Sequence, residues 1–192
     1  MKTKISQIIS KSLLGHEYAP GITAGDDIFT VMSSDIFRGS AFALGYVNPD
    51  NLRGMNIWSD MYKVIRKANL MLARMDECQD MTALDRRNYT GYIHFLRGYA
   101  YYHILMTCGP AILVGDEIFE SNLEGPAYNT YRATYDETVE YICSELETAA
   151  AYLPLKASIA QFERPTKGAA YALIARLRLH AASPLFNGTS TA

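Results

Sequence analysis

One tryptophan and three cysteines in 192 residues leave little for the chemistries those side chains serve. Cys78, Cys108 and Cys143 form no CxxC pair and have no histidine at ligand spacing, which removes the usual zinc sites. Their odd number argues against a disulfide framework, and they read as small buried apolar residues. The HExxH, GxSxG, GxxxxGK and GxGxxG patterns are all missing, so metal-assisted, serine-hydrolase and nucleotide chemistry lack sequence support. His94 and His103 fall on one helical stretch but about two and a half turns apart, on opposite faces. Cys108 near His103 imitates a thiol pair, yet both flank a buried helix end where a nucleophile lacks access. Asp26-Asp27 has no facing second carboxylate of the kind a glycosidase places about 5–10 Å away. The expected catalytic, metal-binding and cofactor-binding residues are therefore none.

Charge of one sign is missing too. Eighteen basic and 20 acidic residues give a net −2, with no basic stripe to steer nucleic acid. The longest uncharged run, 98–115, is cut by Gly109-Pro110 and is too short to span a bilayer as a helix. Met1-Lys2-Thr3-Lys4 imitates a basic leader, but Ser6, Gln7, Ser10 and Lys11 break the apolar stretch behind it. The first cysteine, at 78, comes too late for lipidation. The expectation is a soluble chain with no export signal and no lipidation cysteine as written.

What is present is a composition able to bury a core, 49% apolar and 20% charged, with 14 tyrosines against seven phenylalanines. Tyrosine suits both core positions near water and sugar-binding surfaces. Four stretches carry helical periodicity, at about 55–78, 83–108, 134–153 and 167–182. In the first, Trp58, Met61, Tyr62, Ile65, Ala68, Leu72 and Met75 recur at steps of three and four. The second opens on Thr82 with Asp85, an acidic variant of the capping box. It is apolar on most sides beyond Tyr89, which predicts central burial, and stops at Gly109-Pro110. The third starts on the full box Thr134/Glu137 and ends at Pro154. The fourth follows Arg164-Pro165-Thr166, buries Ala170, Leu173, Leu177 and Ala181, and closes at Ser183-Pro184. Alanine-rich faces on the last two allow close approach of helix axes. Ala111 to Val114 could run extended, and a weak helix is expected near 5–14. The fold class is all-α, an irregular tetratricopeptide-like stack of two long helix pairs with extended loops. It forms a single domain over 1–192, spaced more widely than a regular repeat of about 34 residues.

Read in order, these segments resemble the SusD/RagB family of Bacteroidetes nutrient-binding lipoproteins. The likeness is carried by Trp58-Ser59-Asp60-Met61-Tyr62-Lys63-Val64-Ile65 leading to Ala68-Asn69, by Phe95-Leu96-Arg97-Gly98-Tyr99-Ala100-Tyr101-Tyr102, and by Cys108-Gly109-Pro110-Ala111-Ile112-Leu113-Val114. The capped Thr134-Tyr135-Asp136-Glu137 helix, Arg164-Pro165-Thr166-Lys167-Gly168-Ala169-Ala170 and Ala181-Ala182-Ser183-Pro184-Leu185-Phe186-Asn187-Gly188 continue it, and Thr23-Ala24-Gly25-Asp26-Asp27 is similar to an acidic turn of the family. The chain departs from the family pattern at Ile112, where a second proline is usual, and at Glu145, where Asp is usual. Family members are also two to three times longer, so a fragment is expected, the N-terminal helical portion.

The resemblance implies a glycan-binding subunit of an outer-membrane polysaccharide uptake system at the cell surface. It would bind an oligo- or polysaccharide without catalysis beside a SusC-like TonB-dependent transporter, touching the membrane only through a lipid anchor absent from this chain. A helical scaffold binding protein alone is the alternative. Sugars are held by aromatic rings under their apolar faces and by Asn, Asp and Arg on their hydroxyls. Two segments offer that mixture: Phe37, Arg38, Phe42, Tyr46, Asn48, Asp50, Asn51 and Arg53, and the loop 115–132 with Phe119, Asn122, Tyr128, Asn129 and Tyr131. Trp58 reads as core rather than platform. Asn69 is expected to bond backbone, and Arg97 and Arg164 to meet buried carboxylates or helix C-termini.

Overall fold

The computed structural model describes residues 45, 46, 48, 50, 57–119, 130–157 and 164–187. The chain divides into two compact units, Met1–Asp60 and Met61–Ala192. The described residues are helical with no strand among them: α1 (Trp58–Arg74), α2 (Ala83–Cys108), α3 (Tyr135–Tyr152), α4 (Lys167–Ala181) and a single turn, α5 (Pro184–Asn187). The sequence periodicity placed the four long helices within a few residues of these bounds. The main difference is the end of α1, which tightens into a 3₁₀ turn over Met75–Glu77 instead of running on as α-helix. The short turn α5 was not anticipated.

Both capping boxes form. Thr82 accepts from the Asp85 amide while the Asp85 carboxylate takes the Thr82 amide, and Thr134 and Glu137 do the same for α3. Each satisfies two amides that a helix start leaves open. Thr166 caps α4 through the Ala169 amide. Gly109 ends α2 at φ 78°, a backbone state that costs a side-chain-bearing residue about 1–2 kcal/mol.

In the second unit each long helix packs antiparallel on its chain neighbour. Between α1 and α2, Ala68, Met75 and Ile93 share an apolar cluster, and the Tyr62 and Tyr101 rings meet edge to face at 6.3 Å. The α2/α3 contact is the closest. Gly91 and Gly98 lie one heptad apart on one face of α2, and the same spacing separates Leu146 of α3 from Leu153, the residue that caps its end. A Cβ at Gly91 would stand 3.1 Å from Leu153 Cγ, and one at Gly98 3.1 Å from Leu146 Cγ. The two leucines thus sit directly over the two glycines. Ala149, Ala150 and Ala170 carry the seam on to α4 in a cluster with Tyr92 and Leu153. Trp58, expected in the core, is only half-buried, while Met61, Ile65 and Ala68 of the same helix are buried.

Arg164, expected at a buried carboxylate or a helix C-terminus, carries its guanidinium over the rings of Tyr92 and Tyr89, at 5.3 and 5.9 Å. The face of an aromatic ring attracts a cation, and these two tyrosines offer faces at the start of α2.

His103 is enclosed by Tyr99 and Tyr102, with ring centroids 4.4 and 5.4 Å away, and its Nε2 finds no partner among the described residues. Burial, helped by the Arg176 charge, pushes its pKa down to about 4. An exposed imidazole titrates near 6.5, so as pH falls the unfolded chain takes up the proton first. The stability held by the neutral ring is whole above about pH 6.5 and drains between there and about 4. Urea melts are expected to show about 2 kcal/mol lost from this group between about pH 7 and pH 5, a loss that His103→Phe removes. An unchanged slope in that variant would place the titration elsewhere.

Candidate functional site

The middle of the second unit is organised by one buried polar network. Arg97, 3% exposed, donates through Nε to Glu145 Oε2 at 2.7 Å and through Nη2 to Oε1 at 2.6 Å. Its Nη1 donates to Asn69 Oδ1 (2.9 Å), to the Gly115 carbonyl (3.3 Å) and to Asp116. Asn69 then spends its amide nitrogen on the carbonyls of Gly115 and Glu117, both at 2.9 Å. The expected roles of Asn69 and Arg97 are found here. Burial opposes the charge on both members of the ion pair, but the hydrogen bonds from His94 and Arg97 outweigh it and hold the Glu145 carboxyl below its ordinary range. The same contacts raise the Arg97 pKa against burial. Both Glu145 oxygens are taken, Oε2 also by His94 Nδ1 at 3.0 Å. The carboxylate is thus committed to structure rather than poised as an acid or base.

The network holds an extended segment that leaves the end of α2. The Tyr62 hydroxyl donates to the Ile112 carbonyl at 2.9 Å and accepts from the Ile112 amide at 2.8 Å. Tyr101 OH accepts from the Val114 amide at 3.1 Å, and Thr138 Oγ1 from the Ala111 amide at 3.4 Å. Side chains here do for the backbone what a neighbouring strand would do in a sheet. Gly115, at φ 56°, turns the chain at the end of this ledge, where Asn69 and Arg97 grip it.

Beside the ledge the chain returns through Thr130 to Thr134. The Ala133 amide donates to the Ala111 carbonyl (2.9 Å), and Arg132 Nη1 donates to the Cys108 carbonyl at the end of α2 (2.9 Å). Tyr131 immediately precedes these two anchors and is 89% exposed. A ring that fills no pocket, on a backbone fastened on one side, offers its faces to a ligand.

Of the other sequence-predicted site residues, Tyr46, Asn48 and Asp50 lie in the first unit, and all three are exposed. The Asp50 amide donates to Asn48 Oδ1 at 3.0 Å, so one Asn48 acceptor closes a local turn. Phe37, Arg38, Phe42, Arg53, Tyr128 and Asn129 lie outside the described residues, as does the helix expected near 5–14. Arg132 was not singled out from sequence. Its adjacency to Tyr131 was visible, but its hold on the α2 terminus depends on tertiary placement.

Comparison with known proteins follows the same lines. A SusD-like family model, described as starch-binding and associating with the outer membrane, matches residues 3–179. A SusD-like protein from Bacteroides fragilis is similar at 26% identity and TM-score 0.64, over 74% of this chain and 28% of that one. A laminarin binding SusD-like protein matches at 23% identity and TM-score 0.67, over 96% of this chain and 41% of that chain. Surface glycan-binding protein A from Bacteroides uniformis matches at 21% identity and TM-score 0.65, over 94% and 42%. The last two share the helical fold. This chain spans between 28% and 42% of the length of these three structures. No curated protein matches it.

Proposed function

The chain belongs to the SusD-like family, and from that membership we propose that it is the N-terminal helical part of a glycan-binding subunit working at the outer membrane. The family match over residues 3–179 carries this reading. In it, α1 to α4 are a rigid frame, and the connecting segments make the contacts. Oligo- or polysaccharide is held by stacking on exposed aromatic rings: Tyr131 is a platform of the second unit, and Tyr46 is a separate candidate in the first. Phe37, Arg38, Phe42, Asn48, Asp50, Arg53, Tyr128 and Asn129 are the further proposed contacts.

The role is passive. A binding subunit needs complementarity to the ground state of its ligand, whereas catalysis needs groups that act only in the transition state. The buried carboxylate of the second unit is held on both oxygens by Arg97, which suits a frame. The partner proposed for the whole protein is a SusC-like TonB-dependent transporter, with a lipid anchor as the route to the membrane.

Affinity electrophoresis tests the binding. Electrophoresed through native gels cast with a panel of plant and microbial polysaccharides, the chain is expected to be retarded by at least one of them. Tyr131→Ala should be retarded measurably less, because one lost stacking ring is worth about 0.5–1.5 kcal/mol, or roughly 2- to 13-fold in affinity. Equal retardation of wild type and Tyr131→Ala would remove Tyr131 from the site.

A further inference from the structure

A second binding surface lies on α4, away from the ledge. We propose that the outer face of this helix docks an acidic amphipathic helix of a protein partner. One side of α4 is already occupied: Ala170, Leu173 and Leu177 are buried, with Ala170 against Ala149 and Ala150 of α3. On the other side Tyr171, Ala172, Ala175, Leu179 and Ala182 are all exposed. Their spacing of three and four puts them on one stripe of a 3.6-residue helix, with no charged residue inside it. Leu179 is 76% exposed and Tyr171 53%. Small residues in the middle with large ones toward the ends make a shallow seat for a second helix.

Charge selects the occupant. From Arg164 to Asn187 there is no acidic residue, while Arg164, Lys167, Arg176 and Arg178 are basic. From Thr134 to Pro154, the α3 segment on which α4 already packs, there is no lysine or arginine, while Asp136, Glu137, Glu140, Glu145 and Glu147 are acidic. The two helices pair as opposites, with Arg178 Nη2 donating to Glu140 Oε2 at 2.9 Å on the flank. The outer stripe of α4 is bordered on one side by Arg176 and on the other by Arg178, whose guanidinium already pairs with Glu140 and leaves Arg176 as the main charge facing a newcomer. A second copy of α4 would set like charges against these borders, and an acidic helix would complement them.

The chain supplies a probe of the right chemistry in its own α3 sequence. A fluorescein-labelled, end-blocked peptide of residues 134–153 is titrated into the full 192-residue chain and followed by anisotropy. Saturable binding is expected, weakened at least tenfold by Leu179→Glu in the chain and at least tenfold when the acidic residues of the peptide are changed to lysine. Leu179 is exposed, so the variant keeps its helical circular dichroism; should it not, Ala175→Glu, also at an exposed position, serves in its place. Three results overturn the proposal. One is no saturable binding. Another is binding indifferent to Leu179→Glu, which marks exchange of the peptide into the position of α3. The third is a self-association of the chain that Leu179→Glu abolishes, which makes a second copy the occupant.

Discussion

Arg97→Met is expected to lower the stability of the folded chain by about 3–5 kcal/mol, read from the shift in urea midpoint at constant m-value. The loss comes less from the contact itself than from what the substitution strands. Glu145 stays buried, at 7% exposure, without its guanidinium partner, and the Asn69 Oδ1 atom and the Gly115 carbonyl lose a donor. A buried charge without its counter-ion carries its desolvation penalty uncompensated. It follows that Arg97→Met with Glu145→Leu should recover part of the loss, because no buried charge is left unpaired, while Asn69 Oδ1 and His94 Nδ1 still each lose a partner. Hydrogen exchange at Gly115 to Glu117 should remain fast even in the double variant, since the ledge has lost one of its two grips. A cost below about 1 kcal/mol for the single change would mean that water reaches the pair and that it does not organise the centre.

The second large effect is at the closest helix contact. Leu146 is fully buried over Gly98, and Leu146→Ala is expected to cost about 2–5 kcal/mol through lost burial and the cavity left behind. The neighbouring glycine offers a compensating change. With the leucine gone, a Cβ at Gly98 is relieved of Leu146 Cγ at 3.1 Å and still meets Glu145 Cβ at 3.3 Å, so Gly98→Ala should return part of the lost stability. About 0.5–1 kcal/mol of that comes from replacing a mid-helix glycine. In the wild-type background Gly98→Leu should be destabilising by about 1–3 kcal/mol, because the side chain must displace Leu146. Additive effects in the Leu146→Ala and Gly98→Ala pair would show that the two residues do not share a seam.

How far the sequence foretells this molecule depends on whether the cause is local. The capping boxes at Thr82 and Thr134 and the Gly109-Pro110 stop are set by residues within one turn of each other, and they form as expected. Asn69 on an apolar stripe needed a partner, and an arginine inside an apolar helix needed a carboxylate; both demands follow from burial alone. Which groups answer them is tertiary: the Gly115 and Glu117 carbonyls lie 46 and 48 residues from Asn69, and Glu145 lies 48 from Arg97. The alanine-rich faces drew attention to close packing on α3 and α4, but the glycines that set the α2/α3 distance passed unread. Their signal was the seven-residue spacing of Gly91 and Gly98 on the face opposite Leu146 and Leu153. Nothing local to Arg164 announces the tyrosine faces it covers, because they come from α2, more than 70 residues earlier in the chain. The binding segments were legible only as composition. Exposure separates a ring such as Tyr131 from the buried Tyr101, and exposure is a property of the fold.

The central claim, passive glycan contact from a rigid helical frame, is tested most directly by calorimetry coupled to product analysis. Oligosaccharides prepared from whichever polysaccharide retards the chain are titrated into it, and the sample is then held overnight and examined by mass spectrometry. The account predicts a saturable isotherm that Tyr131→Ala weakens and oligosaccharides recovered at their starting length. Heats no larger than dilution, or recovered sugars shorter than those added, would contradict it.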